Sequence, residues 1–449
     1  MTENWFNNLC HSVFTKLKPS EELSLGLKGE DTDYVRFNNA KIRQSTFVKQ
    51  RKVEMTFQQN QRQIVYRFDL QQTAEQDLQT CLFFLDRCRA ECESLPSDPH
   101  CVPMVGESKS THSFKTDLPS AEEFCPLINR STAAADLAGI FATGDVYRAF
   151  QNSHGINHWY HKQEYFFDYS MYTKTPDGQN KALKNCFSES KWNQTHLENQ
   201  FSSDFEKLKR LSQNQVTIKP GKYRTYFEPA ANHDLVSMLS WNGLSLAAFK
   251  QNRSPMKKLA SKEVQLSDRF SIYEDFNQGL SPQFNSTGEL APEVLPLITN
   301  GVLKNFLVSS RSAQEYNMAS NGADIGLFGM EFLRSAVVKP GQLPASEVLK
   351  ALDTGIYVGN LHYLNWSDLQ SARITGMTRF ACFWVENGQI KAPIGDMRFD
   401  SSFYDVFGSH LVDFTDHSAV IPSVDSYIER SVGGLKVPGA LVTEFNFVL

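Results

Sequence analysis

The sequence predicts an α+β fold in two parts: N-terminal helices on a mostly antiparallel sheet, then a strand-rich portion built on large twisted sheets. Three observations point there. The first half holds separate stretches in which apolar residues recur at helical spacing. The second half is dominated by extended runs punctuated by Asn-Gly and other turn residues. Neither half shows the regular strand–helix alternation of a Rossmann or barrel plan. With 449 residues, 41% of them hydrophobic and 33 of them Phe, the chain can fill more than one core. The stretch "SQNQVTIKPGK" is the best boundary, dividing 1–214 from 215–449.

Phe6, Leu9, Val13 and Leu17 share one helical face and open the chain with an amphipathic helix. "YVRFNNAKIRQST" reads as two extended pieces about an Asn-Asn turn. "VEMTF" and "IVYRFDL" alternate and form a hairpin turning near Gln59 to Gln61. Thr73 and Gln76 fit a capping box for a helix running to about Ser94. The proline-bearing "LPSDPHCVPMVGESKSTHSF" reads as a loop, and "STAAADLAGIF" as a further helix. Leu197, Phe201, Phe205, Leu208 and Leu211 mark a long helix. Beyond the boundary, "YRTYFEP" leads into a helix from about Ala230, and "RFSIYED" is extended. "LPLITNGVLKNFLV" and "ACFWVENGQIKAPI" each set Asn-Gly between apolar runs, the strongest short hairpin signal.

Charge and composition exclude some classes. A net charge of -5 without a basic stripe argues against a nucleic-acid partner. The longest apolar run near the front, "CLFFL", is far short of a membrane span, and the acidic start does not resemble a secretory signal. Eight scattered cysteines fit reduced thiols, so a cytoplasmic protein is expected.

Two clusters raise the possibility of a metal. "HGINHWYH" places His154, His158 and His161 within eight residues. In a strand His158 and Tyr160 point one way while Trp159 and His161 point the other, so no face gathers all three rings. The spacing matches no zinc ligand set. Cys81, Cys88 and Cys92 fall near one helical face, but Leu78, Leu82 and Leu85 share it, and buried thiols behave as small hydrophobes. No GxSxG, Walker loop, GxGxxG or HExxH occurs.

The strings "GIYVGNLHYLN", "ITGMTRFACFWVENGQIKAPIGDMRF" and "GGLKVPGALVTEFNF" resemble the TldD/PmbA family of peptidase and peptide-maturation proteins, historically called modulators of DNA gyrase. "DLAGIFATGDVYRAFQNSHG", "FFDYSMYT" and "RFNNAKIRQS" extend the resemblance through the first half. The family implies paired subunits, of which the TldD type carries zinc on an HExxxH helix and the TldE or PmbA type does not. The corresponding helix here reads "AANHDLVSMLSWNG". One register offers His233, Asp234 and Met238, the other Ser237, Met238 and Asn242, and neither supplies two imidazoles. The resemblance therefore implies a TldE-type subunit of a peptide-trimming metallopeptidase complex. It would have no metal of its own, with zinc expected in a TldD-type partner. Its partners would be that HExxxH subunit, or a second copy in a dimer, and an extended peptide held by strand addition. His362, Asn365, Thr375 and Arg379 are the expected peptide-groove residues. The alternatives are a homodimeric peptide-binding accessory and a self-sufficient metallopeptidase using unrecognised ligands such as the histidine cluster.

Overall fold

The computed structural model describes residues 2–71, 73–132, 135–326 and 329–448. The structure is α+β, with two large sheets. In chain order its first half comprises α1 (Glu3–Phe14), β1 (Glu22–Asn38), β2 (Lys41–Gln59), β3 (Arg62–Asp69), α2 (Ala74–Cys92), β4 (Lys109–Phe114), α3 (Ala121–Thr132), β5 (Asp136–Asn152), β6 (Asn157–Lys174), β7 (Asn180–Phe187) and α4 (Gln194–Leu211). The strands run β3-β2-β1-β5-β6-β4, with β7 also beside β6. All neighbours are antiparallel except β4, which lies parallel to β6.

Alternation decides which face is covered. Leu23, Leu25 and Leu27 of β1 pack with Val53, Met55 and Phe57 beneath α1 and α2. Val35 and Phe37, further along the same face, pack with Phe141 and Phe167 beneath α3 and α4. Each such side chain contributes roughly 1.5–3 kcal/mol on burial. Cys81, Cys88 and Cys92 are buried with Leu85 in the α1–α2 core as free thiols.

The second sheet holds 13 strands and opens with β8 (Gly221–Phe227), which runs into the helix α5 (Pro229–Ser237). Its hub is the strand Gly434–Phe447. That strand pairs antiparallel with β8 and with Leu411–Pro422, and parallel with Ser335–Val338. It also meets Arg398–Ser402 at Phe399 opposite Phe447. The core beneath this sheet includes Phe227, Leu235, Met238, Phe270, Phe399 and Phe445. Among the described residues no helix is long and apolar enough to cross a membrane.

Both Asn-Gly hairpins form. Asn300-Gly301 and Asn387-Gly388 take positive φ at both positions, as a type I′ turn requires. Three local expectations differ. "STAAADLAGIF" is not a helix: α3 ends at Thr132, Ala133 and Ala134 lie outside the described residues, and Asp136 onward is β5. Leu137 and Phe141 stand four apart, which suits one helical face and one strand face equally. Pairing with β1 and β6 on both sides settles the choice. The expected loop before Phe114 ends in β4. Thr73 does precede α2, but its hydroxyl bonds the Gln76 side chain, at 2.8 Å, rather than the helix backbone.

The two halves are pinned together through β1, β5 and β6. The Arg148 guanidinium donates to the Arg430 carbonyl at 2.5 Å, and the Arg430 amide donates to Glu30 at 3.0 Å. Tyr160 donates to the Gly279 carbonyl at 3.0 Å.

Candidate functional site

The structure separates the three clustered histidines. His154, on a turn, stands 3.2 Å from Glu22. His158 is fully buried, bonded through Nδ1 to Ser110 and through Nε2 to the Gly288 carbonyl, and stacked on Phe284. His161 points to the opposite face, where it pairs with Asp145 at 2.6 Å and stacks on Tyr147. Strand alternation thus sends the rings to different partners, and no common ligand sphere forms.

The expected groove residues lie on the antiparallel pair Leu361–Asp368 and Arg373–Thr378. Leu361 faces Thr378 and Trp366 faces Ile374 on the core side. His362 faces Met377, and Asn365 faces Thr375, on the other side. An irregularity between His362 and Asn365, where Tyr363 takes φ +54°, keeps both on that outer face. Arg379 follows the second strand, exposed, with its guanidinium 5.5 Å from the Phe380 ring centre. The His362 ring lies against Tyr363 and 6.3 Å from the same Phe380 ring. His362 and Arg379 are therefore brought together around one aromatic side chain. The Thr375 hydroxyl donates to the Phe399 carbonyl at 3.0 Å, and the Asn365 side-chain Oδ1 accepts from the Trp366 amide at 2.8 Å.

Two groups that sequence reasoning did not assign to this place complete the surroundings. Asp234 of α5 accepts the Leu361 amide at 3.0 Å, anchoring the strand that carries His362. Lys184 of β7 lies 3.7 Å from Asp168. The His362 imidazole is held below its usual range, first by partial desolvation and then by the Arg379 and Lys184 cations, with Asp234 opposing them. At neutral pH the ring is a neutral donor and acceptor beside a fixed guanidinium. Such a pair can bond a backbone carbonyl or a carboxylate.

At the start of α5 sits a half-buried polar chain. Glu228, just before Pro229, accepts from Lys207 of α4 and from Tyr357. Burial works to discharge Lys207, but the Glu228 charge and hydrogen bond outweigh it and raise its pKa. Nearby, Asp204 accepts from Tyr169, and from Asn185 at 3.2 Å. Desolvation pushes the Asp204 carboxyl up to about 6. No local sequence signal marks these residues, because the partners are far apart in the chain.

The α5 residues to which the family resemblance assigns the metal position do not present a zinc ligand set. His233 Nδ1 is 3.7 Å from Asp234 Oδ1, an adjacent pair and not two imidazoles on one helical face. Asp234 is engaged by the Leu361 amide, and Met238 is buried in the core. Among the described residues no group of three or more His, Cys, Asp or Glu side chains is arranged to hold a metal ion.

Solved structures with this fold cover the whole chain. TldE from Thermococcus kodakarensis superposes with a TM-score of 0.82 at 14% identity, covering 99% of this chain and 100% of its own. A protein from Thermotoga maritima, described as a candidate modulator of DNA gyrase, gives 0.77 at 15% identity, with 99% of each chain covered. A similarly described protein from Bacteroides thetaiotaomicron gives 0.75 at 13% identity, covering 99% of this chain and 98% of its own. No curated protein matches the sequence. Residues 220–448, from the start of β8 through the hub strand, match the PmbA/TldA metallopeptidase C-terminal domain. That match takes in more than half of the sequence, and the chain belongs to the PmbA/TldD family.

Proposed function

We propose that this chain is a TldE/PmbA-type subunit, without a metal site of its own, which pairs with a zinc-bearing TldD-type subunit to trim or degrade peptides. The observation that carries this reading is α5. At the family's metal-bearing position it presents one imidazole, a carboxylate already bonded to the Leu361 amide, and a buried thioether. A hydrolytic zinc needs paired ligands, an open position for water and a general base, and this helix supplies no such set.

In the complex the chain contributes a wall that holds an extended peptide. His362, Asn365, Thr375 and Arg379 line one sheet face, and Arg379, free of any ion pair among the described residues, is suited to a peptide carboxylate or carbonyl. The test is reconstitution. Peptidase activity should appear only on mixing with an HExxxH partner and should vanish with a chelator. Arg379→Ala should lower peptide turnover at least tenfold without preventing assembly. Stoichiometric zinc and full activity in the isolated chain would overturn the proposal. A self-associating, inactive peptide binder would favour a homodimeric accessory instead.

A further inference from the structure

The hairpin of β1 and β2 lies outside the candidate site, and one of its edges is bare. β3 covers β2 from Lys52 onward and the Leu70 amide donates to the Arg51 carbonyl, so residues 41–50 have β1 on one side and, among the described residues, no strand on the other. At about 3.4 Å per residue this free edge is about 35 Å long. Every side chain from Lys41 to Phe47 is exposed, so both faces of the strand stand clear there. The register shift near Arg36 sets Ile42 against Phe37 and Phe47 against Asp33. Ile42 and Phe47 therefore share a face, at 48% and 59% exposure.

The charge along this edge has one sign. Between Lys41 and Lys52 there is no acidic residue, in a chain whose net charge is -5. Arg51 and Lys52 are neutralised by Asp31 and Asp69, whereas Lys41, Arg43 and Lys49 have no ion-pair partner among the described residues. Edge cations are a common defence against stray strand pairing. Here, however, the defence acts only against like charge. Antiparallel self-pairing centred on Ser45 would set Lys41 opposite Lys49, and like charges directly opposed are destabilising. An acidic strand meets the reverse: three cations outside any ion pair among the described residues (one of them, Lys49, opposite Asp31 of β1), two apolar side chains on one face and a free row of backbone groups.

We propose that the outer edge of β2, residues 41–50, is a docking edge for an extended acidic segment of another polypeptide. The segment adds as a strand, its carboxylates meeting Lys41, Arg43 and Lys49 and its apolar side chains meeting Ile42 and Phe47. This surface is independent of the TldE-type reading.

The test uses the full chain and two fluorescent twelve-residue peptides, Glu alternating with Val and Lys alternating with Val. Anisotropy should show binding of the Glu–Val peptide, weakening as salt rises, and none of the Lys–Val peptide. Hydrogen exchange should slow within residues 41–50 when the peptide binds. The triple variant Lys41→Glu, Arg43→Glu, Lys49→Glu should lose the Glu–Val peptide at least tenfold and take up the Lys–Val peptide. Should that variant fail to fold, Ile42→Ser with Phe47→Ser, which keeps the charges, should weaken binding several-fold. No binding, or protection elsewhere than residues 41–50, would overturn the proposal. So would a concentration-dependent dimer that protects this edge without peptide, since the occupant would then be a second copy.

Discussion

Strand β6 and the strand pair 361–378 both carry histidines among aromatic residues, yet they differ in what their polar groups still have to offer. On β6, His158 is bonded at both ring nitrogens, Glu164 lies against Lys162 and Arg430, and Tyr169 donates to Asp204. On the pair, His362 and Arg379 meet only aromatic rings and longer-range charges. A dense cluster of ligand-type residues can be wholly spent on holding two sheets together. A sparser set remains able to bind something else.

Four substitutions can break or sharpen that contrast. Glu164→Ala should cost most, about 3–5 kcal/mol in urea unfolding, because it strands the buried Arg430 cation. Glu164 stays ionised despite burial, which favours the protonated form, because Lys162 and Arg430 outweigh it. A loss below about 1 kcal/mol would show that β6 is not the pinned strand described.

Next comes Asp204, whose carboxyl is pushed up to about 6 from an ordinary value of 3.8. The folded state holds this proton more tightly than the unfolded chain. The stability it contributes is therefore fully present below pH 3.8 and lost as pH rises through about 6. On about 1.4 kcal/mol per pKa unit, the loss is roughly 3 kcal/mol. Asp204→Asn should remove that slope from the stability profile between pH 4 and 7. An unchanged slope would place its origin elsewhere.

His158→Ala removes two hydrogen bonds and a ring stacked on Phe284, and should cost about 2–3 kcal/mol. His362→Ala should cost least, within about 0.5 kcal/mol, as for a surface residue away from any bonded network. If thermal unfolding showed equal losses for these two, the distinction between a committed and an available histidine would collapse.

Much of the fold was legible because local rules dictate it. Asn-Gly needs no tertiary context to turn a strand, and period-two alternation correctly sent His158 and His161 to opposite faces. The α3–β5 error arose where a spacing of four satisfies helix and strand alike. The candidate site was legible only in part. Residue numbers alone do not reveal the irregularity at Tyr363 that keeps His362 and Asn365 on one face. Nor do they show that Lys207, Glu228 and Tyr357 meet at the start of α5, or that Asp234 anchors Leu361. Those contacts join positions separated by up to 129 residues, and only the folded topology brings them together.

The hub strand Gly434–Phe447 has a consequence for the order of synthesis. β8, Ser335–Val338 and Leu411–Pro422 all emerge from the ribosome before the strand they pair with. The first sheet, in contrast, has all its strands once β7 has been made. During translation the chain passes through a stage with one finished half and one set of waiting strands, their edges open to wrong partners. Releasing a chain stalled before residue 434 should yield a folded first half tethered to an aggregation-prone second, and the complete second half should form only after the hub strand arrives.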